Sequence, residues 1–371
     1  MLLPPIACRA VTAGLRQSPL HDRHVALGAR MAEFGGWSMP IQYTGVVEEH
    51  TAVRESVGVF DVSHLGNVEV TGPGAKAFIN SCFTNDLDRI GPGQAQYTLC
   101  CDDATGGVVD DLIVYHGSVE DMHLVPNAAN TPEVVRRLRV AAPDGITIDD
   151  RHEAFAIIAV QGPRSPDVLS AVGLKADLDY MSFVQDQDVV VCRTGYTGEH
   201  GYELVVPAAA AAARWDDIAE AIAPLGGRPC GLGARDTLRT EMGYPLHGQD
   251  LSLDITPVQA RCGWAVGWSK PAFWGREVLT REREQGARRL LWGVRSEDRG
   301  IPRPHMRVRS VAGDGVGEVT SGTFSPTLKA GIGLALLDRS VSEGDEVTVD
   351  VRGRPSVMRV VKPPFVASHV R

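Results

Sequence analysis

The segment Gly-Gly-Val-Val-Asp-Asp-Leu-Ile-Val-Tyr at Gly106–Tyr115 constrains this chain more than any other. Its length and apolar, β-branched composition predict a buried strand, and ionised carboxylates are costly to bury without partners. Strict alternation puts Asp110 on one face with Val108, Leu112 and Val114, and Asp111 on the other with Val109 and Ile113. At least one acid therefore faces a packed or ligand-lined space in which something stabilises it. Such a carboxylate is a candidate functional group; the alternative is an acid exposed on a half-buried strand.

A chain of 371 residues exceeds a single hydrophobic core and predicts two or three domains. The net charge of -9 argues against nucleic acid as the main partner, because phosphate binding needs a basic footprint. One local basic cluster stands at Arg303–Arg309. The seven cysteines are odd in number, lack C-x-x-C pairing and read as buried free thiols in a reducing compartment. The eleven histidines show no ligand spacing, so no metal is expected. No apolar stretch approaches the ~18 residues of a membrane span, and the expected location is the cytoplasm. Met1–Gln17 reads as a disordered lead-in, with a weak targeting segment as the alternative.

Local signals lay out the elements. Val46–Val57 predicts a helix stopping at Gly58, and Ala75–Cys82 another after the Gly72-Pro73-Gly74 break. Gln96–Cys101 and Val108–Tyr115 flank a turn and predict a hairpin, followed by a short strand at His123–Asn127. Thr131-Pro132 supplies an N-cap and a first-turn proline for a helix to about Ala141. Ala154–Val160 predicts a strand, Ser165-Pro166 opens a helix ending by Gly173, and Ala208–Ile222 is an alanine-rich helix. Asp188–Arg193 and Tyr202–Val206 are strands around a glycine-rich connection. From about Arg288 the pattern changes to short strands at Arg289–Val294, Val316–Ser321, Ile332–Leu337, Glu346–Val351 and Val357–Val361, which predicts a separate antiparallel β domain.

Three further segments carry chemistry. In Arg193–Leu204, Glu203 takes the face opposite Tyr202 and Leu204, shared with Val205. It is either a surface acid or a carboxylate that receives two parallel N–H donors from a heterocycle. Glu199, in the turn, is expected in solvent. The helix from about Ala234 to Met242 puts Arg235 and Arg239 on one face, either solvated beside acids or turned to a ligand. His64, in Phe60–Gly66, is either catalytic or held by neighbouring backbone groups. No Ser/His/Asp triad can be assigned, and Gly231-x-Gly233 alone does not make a phosphate loop.

Together these segments resemble the aminomethyltransferase, or T-protein, of the glycine cleavage system. The resemblance is carried by G-A-R-M-A-E-F-G-G-W-S-M-P at Gly28–Pro40, F-D-V-S-H-L-G at Phe60–Gly66, T-N-D-L at Thr84–Leu87 and G-G-V-V-D-D-L-I-V-Y. R-T-G-Y-T-G-E-H-G-Y-E, G-L-G-A-R-D-T-L-R and T-S-G-T-F-S-P-T-L at Thr320–Leu328 continue it in order, from about Leu20 to Pro364. It implies an α+β fold of three domains in a cloverleaf around a central folate channel. Residues 1–59 with 152–255 form the first and residues 60–151 with 256–286 the second, both on antiparallel sheets. A jelly-roll-like β domain follows at residues 287–371.

The implied reaction moves the methylene of an aminomethyl group on the dihydrolipoyl arm of H-protein to tetrahydrofolate. It yields 5,10-methylenetetrahydrofolate, ammonia and the reduced carrier, with lipoylated H-protein as a transient partner and no metal. The family's essential aspartate falls on Asp111, placed near folate N10. Its pterin-binding glutamate falls on Glu203 and its binding arginine on Arg235, while Tyr97, Asn127, Tyr196 and Tyr244 match positions along the channel. Pro126 and Leu65 stand where many relatives carry valine and methionine. Flavin-linked relatives of the fold differ in a dinucleotide fingerprint that is missing here. The folate protein of iron–sulfur assembly carries a cysteine where this chain reads Met242-Gly-Tyr-Pro-Leu-His-Gly-Gln-Asp250. The alternative function is a non-catalytic folate-binding or assembly protein of the same fold, and the Arg303–Arg309 cluster is a candidate docking surface for H-protein.

Overall fold

Four β assemblies organise the residues that this computed structural model describes, 14–351 and 353–371. The expectations for residues 1–13, Cys8 among them, lie outside the described residues. The acid-bearing strand belongs to a five-stranded antiparallel sheet ordered Gln94–Cys101, Val108–Ser118, Asp121–Val125, Val68–Thr71, Thr147–Asp150. The helices Ala75–Cys82 and Thr131–Ala141 pack on it, burying Phe78, Ile79, Val134, Val135 and Leu138 with Leu112, Val114, Met122 and Leu124. Each such side chain contributes roughly 1.5–3 kcal/mol when fully buried. The first helix keeps its predicted bounds; in the second the expected N-cap Thr131 is already helical, its hydroxyl donating to the Asn127 carbonyl (2.9 Å), and Asn130 takes the cap position without a side-chain bond. Pro132 sits in the first turn, where its missing N–H has no intrahelical acceptor to lose.

The hairpin itself is irregular. Cys101 pairs with Val108 and Cys100 with Asp110, so Val109 is the extra residue of a β-bulge. Val109 consequently packs with Leu112 and Val114, while Val108 packs with Leu99, the cross-strand partner of Asp111. The expected grouping of Asp110 with Val108, and of Asp111 with Val109, is corrected by that bulge. Beyond it the alternation holds, and Ile113 joins Tyr115 in a separate cluster.

A six-stranded sheet runs Phe183–Asp186, Val189–Cys192, Gly201–Pro207, Phe155–Gln161, Gly58–Asp61, Arg228–Pro229, antiparallel except for the last pair. Trp215 of the helix Ala211–Ile222 is buried on it among Val59, Ile158, Tyr202 and Leu204. Tyr202, Leu204 and Val206 share this core, and Val205 lies in the cluster on the opposite face with Ala159 and Leu238. Glu203 thus takes the face that alternation assigned to it.

A three-stranded sheet of Arg16–Gln17, Trp37–Gln42 and Arg30–Phe34 precedes these elements. Arg16 and Gln17, expected in a disordered lead-in, pair in parallel with Trp37 and Ser38. The C-terminal region forms a closed antiparallel barrel ordered Arg289–Ser296, Ala330–Asp338, Gly315–Ser325, Arg307–Ser310, Glu346–Val351, Arg354–Val361. The sequence marks Arg307–Ser310 only as part of a charged cluster; its strand exists because two neighbours supply hydrogen bonds. Helix Leu232–Met242 bridges the units, packing on the helix Val46–Glu55, on Trp37–Gln42 and on the barrel strand Gly315–Ser325.

Candidate functional site

The two adjacent acids meet different surroundings. Asp110 is fully buried, and its Oδ2 accepts the Asn127 backbone N–H at 3.0 Å. Its Oδ1 accepts the side-chain amides of Asn127 (2.9 Å) and Asn130 (2.7 Å), tying the strand to the start of the helix Thr131–Ala141. Burial, with the neighbouring Asp111 charge, holds the Asp110 carboxyl well above the usual range. Asp111 is half-buried, with Oδ2 accepting the Tyr97 phenol and Oδ1 the Asn127 amide, both at 3.1 Å. Burial raises its pKa, opposed by the charge of His247 and by the bonds from Tyr97 and Asn127. A carboxylate so raised is a stronger base, and neither of its bonded partners carries a charge that would quench it. Burial and the Asp111 charge push the Tyr97 phenol well up, so it remains a donor. The Tyr97 ring stacks on Trp264 at 5.2 Å, and Trp264 is 66% exposed, so the site reaches solvent on that side.

A second group of polar and aromatic side chains gathers around Glu203 and Arg235. Glu203 Oε2 accepts the Thr194 hydroxyl at 2.6 Å, while Oε1 accepts no hydrogen bond among the described residues. The Arg235 guanidinium lies 4.8 Å from the Tyr196 ring centroid, and the Tyr196 and Tyr244 rings lie 5.7 Å apart. The Tyr196 hydroxyl donates to the Pro245 carbonyl. Burial pulls the Arg235 guanidinium below its ordinary value, with Glu203 and Tyr196 opposing. Burial also raises the Tyr196 phenol, and the Asp111 charge adds to that rise. Contacts tie the two groups: Tyr196, beside Arg235, donates to the Pro245 carbonyl, and His247 of the same loop lies 3.0 Å from the Val108 carbonyl on the acid-bearing strand. Two shielded polar atoms there, Arg235 Nη1 and His64 Nδ1, have no hydrogen-bond partner. A buried group left unpaired costs roughly 1–3 kcal/mol, which an arriving ligand can offset. A free carboxylate oxygen, an unpaired guanidinium N–H and a flat aromatic wall suit a planar heterocycle with donors and an acceptor on one edge.

Several readings change in the folded chain. Glu199, expected in solvent, is buried and pairs with Arg54 at 2.9 Å, because the helix Val46–Glu55 packs over its turn. Arg239 is not on a solvated face: it is buried between Asp236 (2.7 Å) and Asp250 (2.8 Å). The His64 ring is not held by backbone groups; it makes no hydrogen bond among the described residues and lies edge-on to Phe34 at 5.2 Å. Burial and then the Arg235 charge push His64 down to about 3, so its ring is neutral. Thr194, Trp264 and His247 belong to the site and were not singled out by sequence. Thr194 adjoins the glycine-rich turn beside Glu203, which is a usable signal; the other two come from distant loops. Two surface clefts of about 580 and 650 Å³ contain none of Asp111, Glu203 or Arg235, so the site is defined by converging polar groups.

Residues 20–270 match the family model described as the GCVT N-terminal domain, and residues 289–367 match the glycine cleavage T-protein C-terminal barrel domain. The chain is 66% identical over 363 residues to the aminomethyltransferase of Parafrankia sp. (strain EAN1pec), covering 96% of this chain and 99% of that protein. It is 58% identical over 366 residues to the aminomethyltransferase of Mycobacterium avium (strain 104), covering 97% and 99%. The crystal structure of glycine cleavage system aminomethyltransferase T from Bartonella henselae matches with a TM-score of 0.91 at 31% identity, covering 96% of this chain and 99% of that one.

Proposed function

Because the chain belongs to the glycine cleavage T-protein family of aminomethyltransferases, we propose that Asp111 is its catalytic base and that tetrahydrofolate binds between Asp111 and the Glu203–Arg235 pair. The donor is the aminomethyl group on the dihydrolipoyl arm of H-protein; its C–S and C–N bonds break as two C–N bonds to the acceptor form. The products are 5,10-methylenetetrahydrofolate, ammonia and the reduced dihydrolipoyl arm, with the two amine protons of the acceptor passing to sulfur and ammonia. As acceptor, tetrahydrofolate supplies the two amine nitrogens that take up the methylene. Asp111 orients the amine N–H and takes its proton as the C–N bond forms. Tyr97 and Asn127 hold the carboxylate through neutral bonds that leave it basic. Glu203, oriented by Thr194, accepts the paired N–H donors of the pterin edge, and Arg235 donates its open N–H to an acceptor on the same ligand. Tyr196 and Tyr244 present the aromatic wall. The reading calls for no metal, since proton transfer at Asp111 and the acceptor amines carry the chemistry.

The observation that carries this reading is a half-buried carboxylate of raised pKa, hydrogen-bonded by uncharged donors, on a strand of the same chain whose Arg235 keeps a shielded, unpaired N–H. Lipoylated H-protein is the proposed transient partner. The Arg303–Arg309 strip is its proposed docking surface, supported by a cleft that Arg289, Arg307 and Arg309 line. The proposed division is residues 1–59 with 152–255, 60–151 with 256–286, and 287–371, its first boundary falling inside the strand Gly58–Asp61. A cytoplasmic location is proposed from the six free, buried cysteines among the described residues.

The test is ammonia release from aminomethyl-loaded, lipoylated H-protein with and without tetrahydrofolate, in wild type and Asp111→Asn. Asp111→Asn is expected to keep folate affinity within roughly tenfold and to lose turnover about 10²-fold or more. Unchanged turnover refutes the base. No folate-dependent release in wild type identifies a folate binder without this activity.

A further inference from the structure

The T-N-D-L segment at Thr84–Leu87 builds the solvent side of the site. The buried Thr84 hydroxyl donates to the Ala265 carbonyl (2.8 Å) and accepts the Leu99 amide (3.1 Å), while the Thr84 carbonyl accepts the Gly267 amide (2.8 Å). Asn85, also buried, donates from Nδ2 to the Tyr97 carbonyl (2.8 Å) and from its amide to the Thr98 hydroxyl (2.9 Å). Two adjacent residues thus bond both to the strand Gln94–Cys101, which carries Tyr97, and to the turn Gly263–Ala265, which carries Trp264.

The result is an exposed aromatic ring on a fixed backbone. Trp264 lies on Tyr97 with ring centroids 5.2 Å apart and planes 23° from parallel, although it is 66% exposed. The Tyr97 hydroxyl in turn donates to Asp111 Oδ2 at 3.1 Å. Solvent, Trp264, Tyr97 and Asp111 therefore follow one another in direct contact. Among the described residues no cation lies over Trp264: Arg261 lies on Trp292 (3.4 Å) and Arg283 on Trp268 (4.5 Å). Its outer face is open apolar surface, one ring away from the carboxylate.

Two substrates must meet at Asp111 if that carboxylate is the base. Tetrahydrofolate is assigned to the side where Glu203, Arg235 and the Tyr196 and Tyr244 rings gather. The other reactant arrives on a flexible arm from a second protein, so it needs a side open to water. Resting on the assignment of Asp111 as base, we infer that Trp264 is the platform on which the dihydrolipoyl arm of H-protein seats. That arm is an uncharged aliphatic chain ending in sulfur, and an indole face suits both parts. Methylene groups leave water by covering it, and polarisable sulfur favours contact with an aromatic ring.

The arm is isolated by calorimetry with dihydrolipoyl H-protein and with the same protein left unlipoylated. Wild type is expected to bind the lipoylated form about tenfold tighter, and Trp264→Ala to bind the two alike within about twofold. Trp264→Phe keeps a flat apolar face and should recover most of the difference. Kinetics follow in parallel: Trp264→Ala should raise KM for the loaded carrier about tenfold, with kcat and KM for tetrahydrofolate within about twofold of wild type. An arm preference that survives in Trp264→Ala overturns the inference, as does its absence in wild type. So does a rise in KM for tetrahydrofolate, which puts the folate aryl group on the ring, or a loss confined to kcat, which leaves Trp264 as a support for Tyr97. If Asp111→Asn keeps its turnover while the arm preference still depends on Trp264, the platform stands and Asp111 is not the base.

Discussion

Replacing Glu241 by glutamine tests how firmly the barrel holds the helix that carries Arg235. Glu241 is fully buried, and its Oε1 accepts the Ser325 hydroxyl and the Thr327 amide (3.2 Å). Its Oε2 accepts Arg54 Nη2 (2.8 Å), Arg54 Nε (3.1 Å) and the Thr327 hydroxyl (3.0 Å), with His50 Nε2 at 3.3 Å. Burial alone would raise this carboxyl; the bond from His50 and its charge, then Ser325 and Arg54, outweigh that and bring it from 4.5 down to about 2. Such a depression corresponds to roughly 3 kcal/mol at neutral pH, close to the usual loss on breaking a buried ion pair. Glutamine would turn an NH₂ towards donors and leave Arg54 only Glu199 as a counter-charge. Because the folded-state pKa lies below the unfolded one, the stabilisation is complete above about pH 4.5 and fades as pH falls towards 2. Urea unfolding followed by tryptophan fluorescence, for wild type and Glu241→Gln at pH 7, 5, 4 and 3, measures it. The expected difference is about 3 kcal/mol at pH 7 and 5, narrowing at pH 4 and 3 as only the wild type takes up a proton. A difference below about 1 kcal/mol at pH 7, or one that does not narrow, refutes this account of the junction.

Other perturbations separate binding from chemistry and packing. Glu203→Gln converts one acceptor of the fork into a donor, so tetrahydrofolate affinity should fall roughly tenfold or more by calorimetry; equal affinity counts against the pterin contact. Tyr97→Phe removes a hydrogen bond that holds the Asp111 pKa down, so the acid limb of the kcat profile should move to higher pH. A profile identical to wild type would show that the phenol does not orient the base. Gly231→Ala would place a Cβ 2.2 Å from the Ile41 backbone at the start of the Arg235 helix, costing about 1–3 kcal/mol in thermal unfolding; wild-type stability would contradict the packing described.

Elements whose signals lie within a few residues were legible in the chain itself. Ala75–Cys82 and Thr131–Ala141 lie where they were read to within a residue, because glycine breaks, proline placement and apolar spacing act over one or two turns, although Thr131 is helical and not the cap. The face taken by Glu203 was equally legible, since the strand Gly201–Pro207 pairs in even register with Phe155–Gln161. Asp111, Glu203 and Arg235 could be singled out by residue type and motif, but the partners that give them chemical character lie elsewhere. Pairing register with Gln94–Cys101 created the bulge at Val109, and that bulge decided which apolar residues accompany each acid. Arg54, 145 residues before Glu199, turned an expected surface acid into a buried ion pair. The Asp250-anchored loop set His247 against a strand 139 residues earlier. The amino-acid order by itself determined the helices and strands whose signals are local and which residue types can do acid–base work, while strands such as Arg16–Gln17 and Arg307–Ser310 exist through their partners. Only the tertiary structure decided what each charge sees, because desolvation and Coulomb fields depend on distances in space that local propensity does not encode.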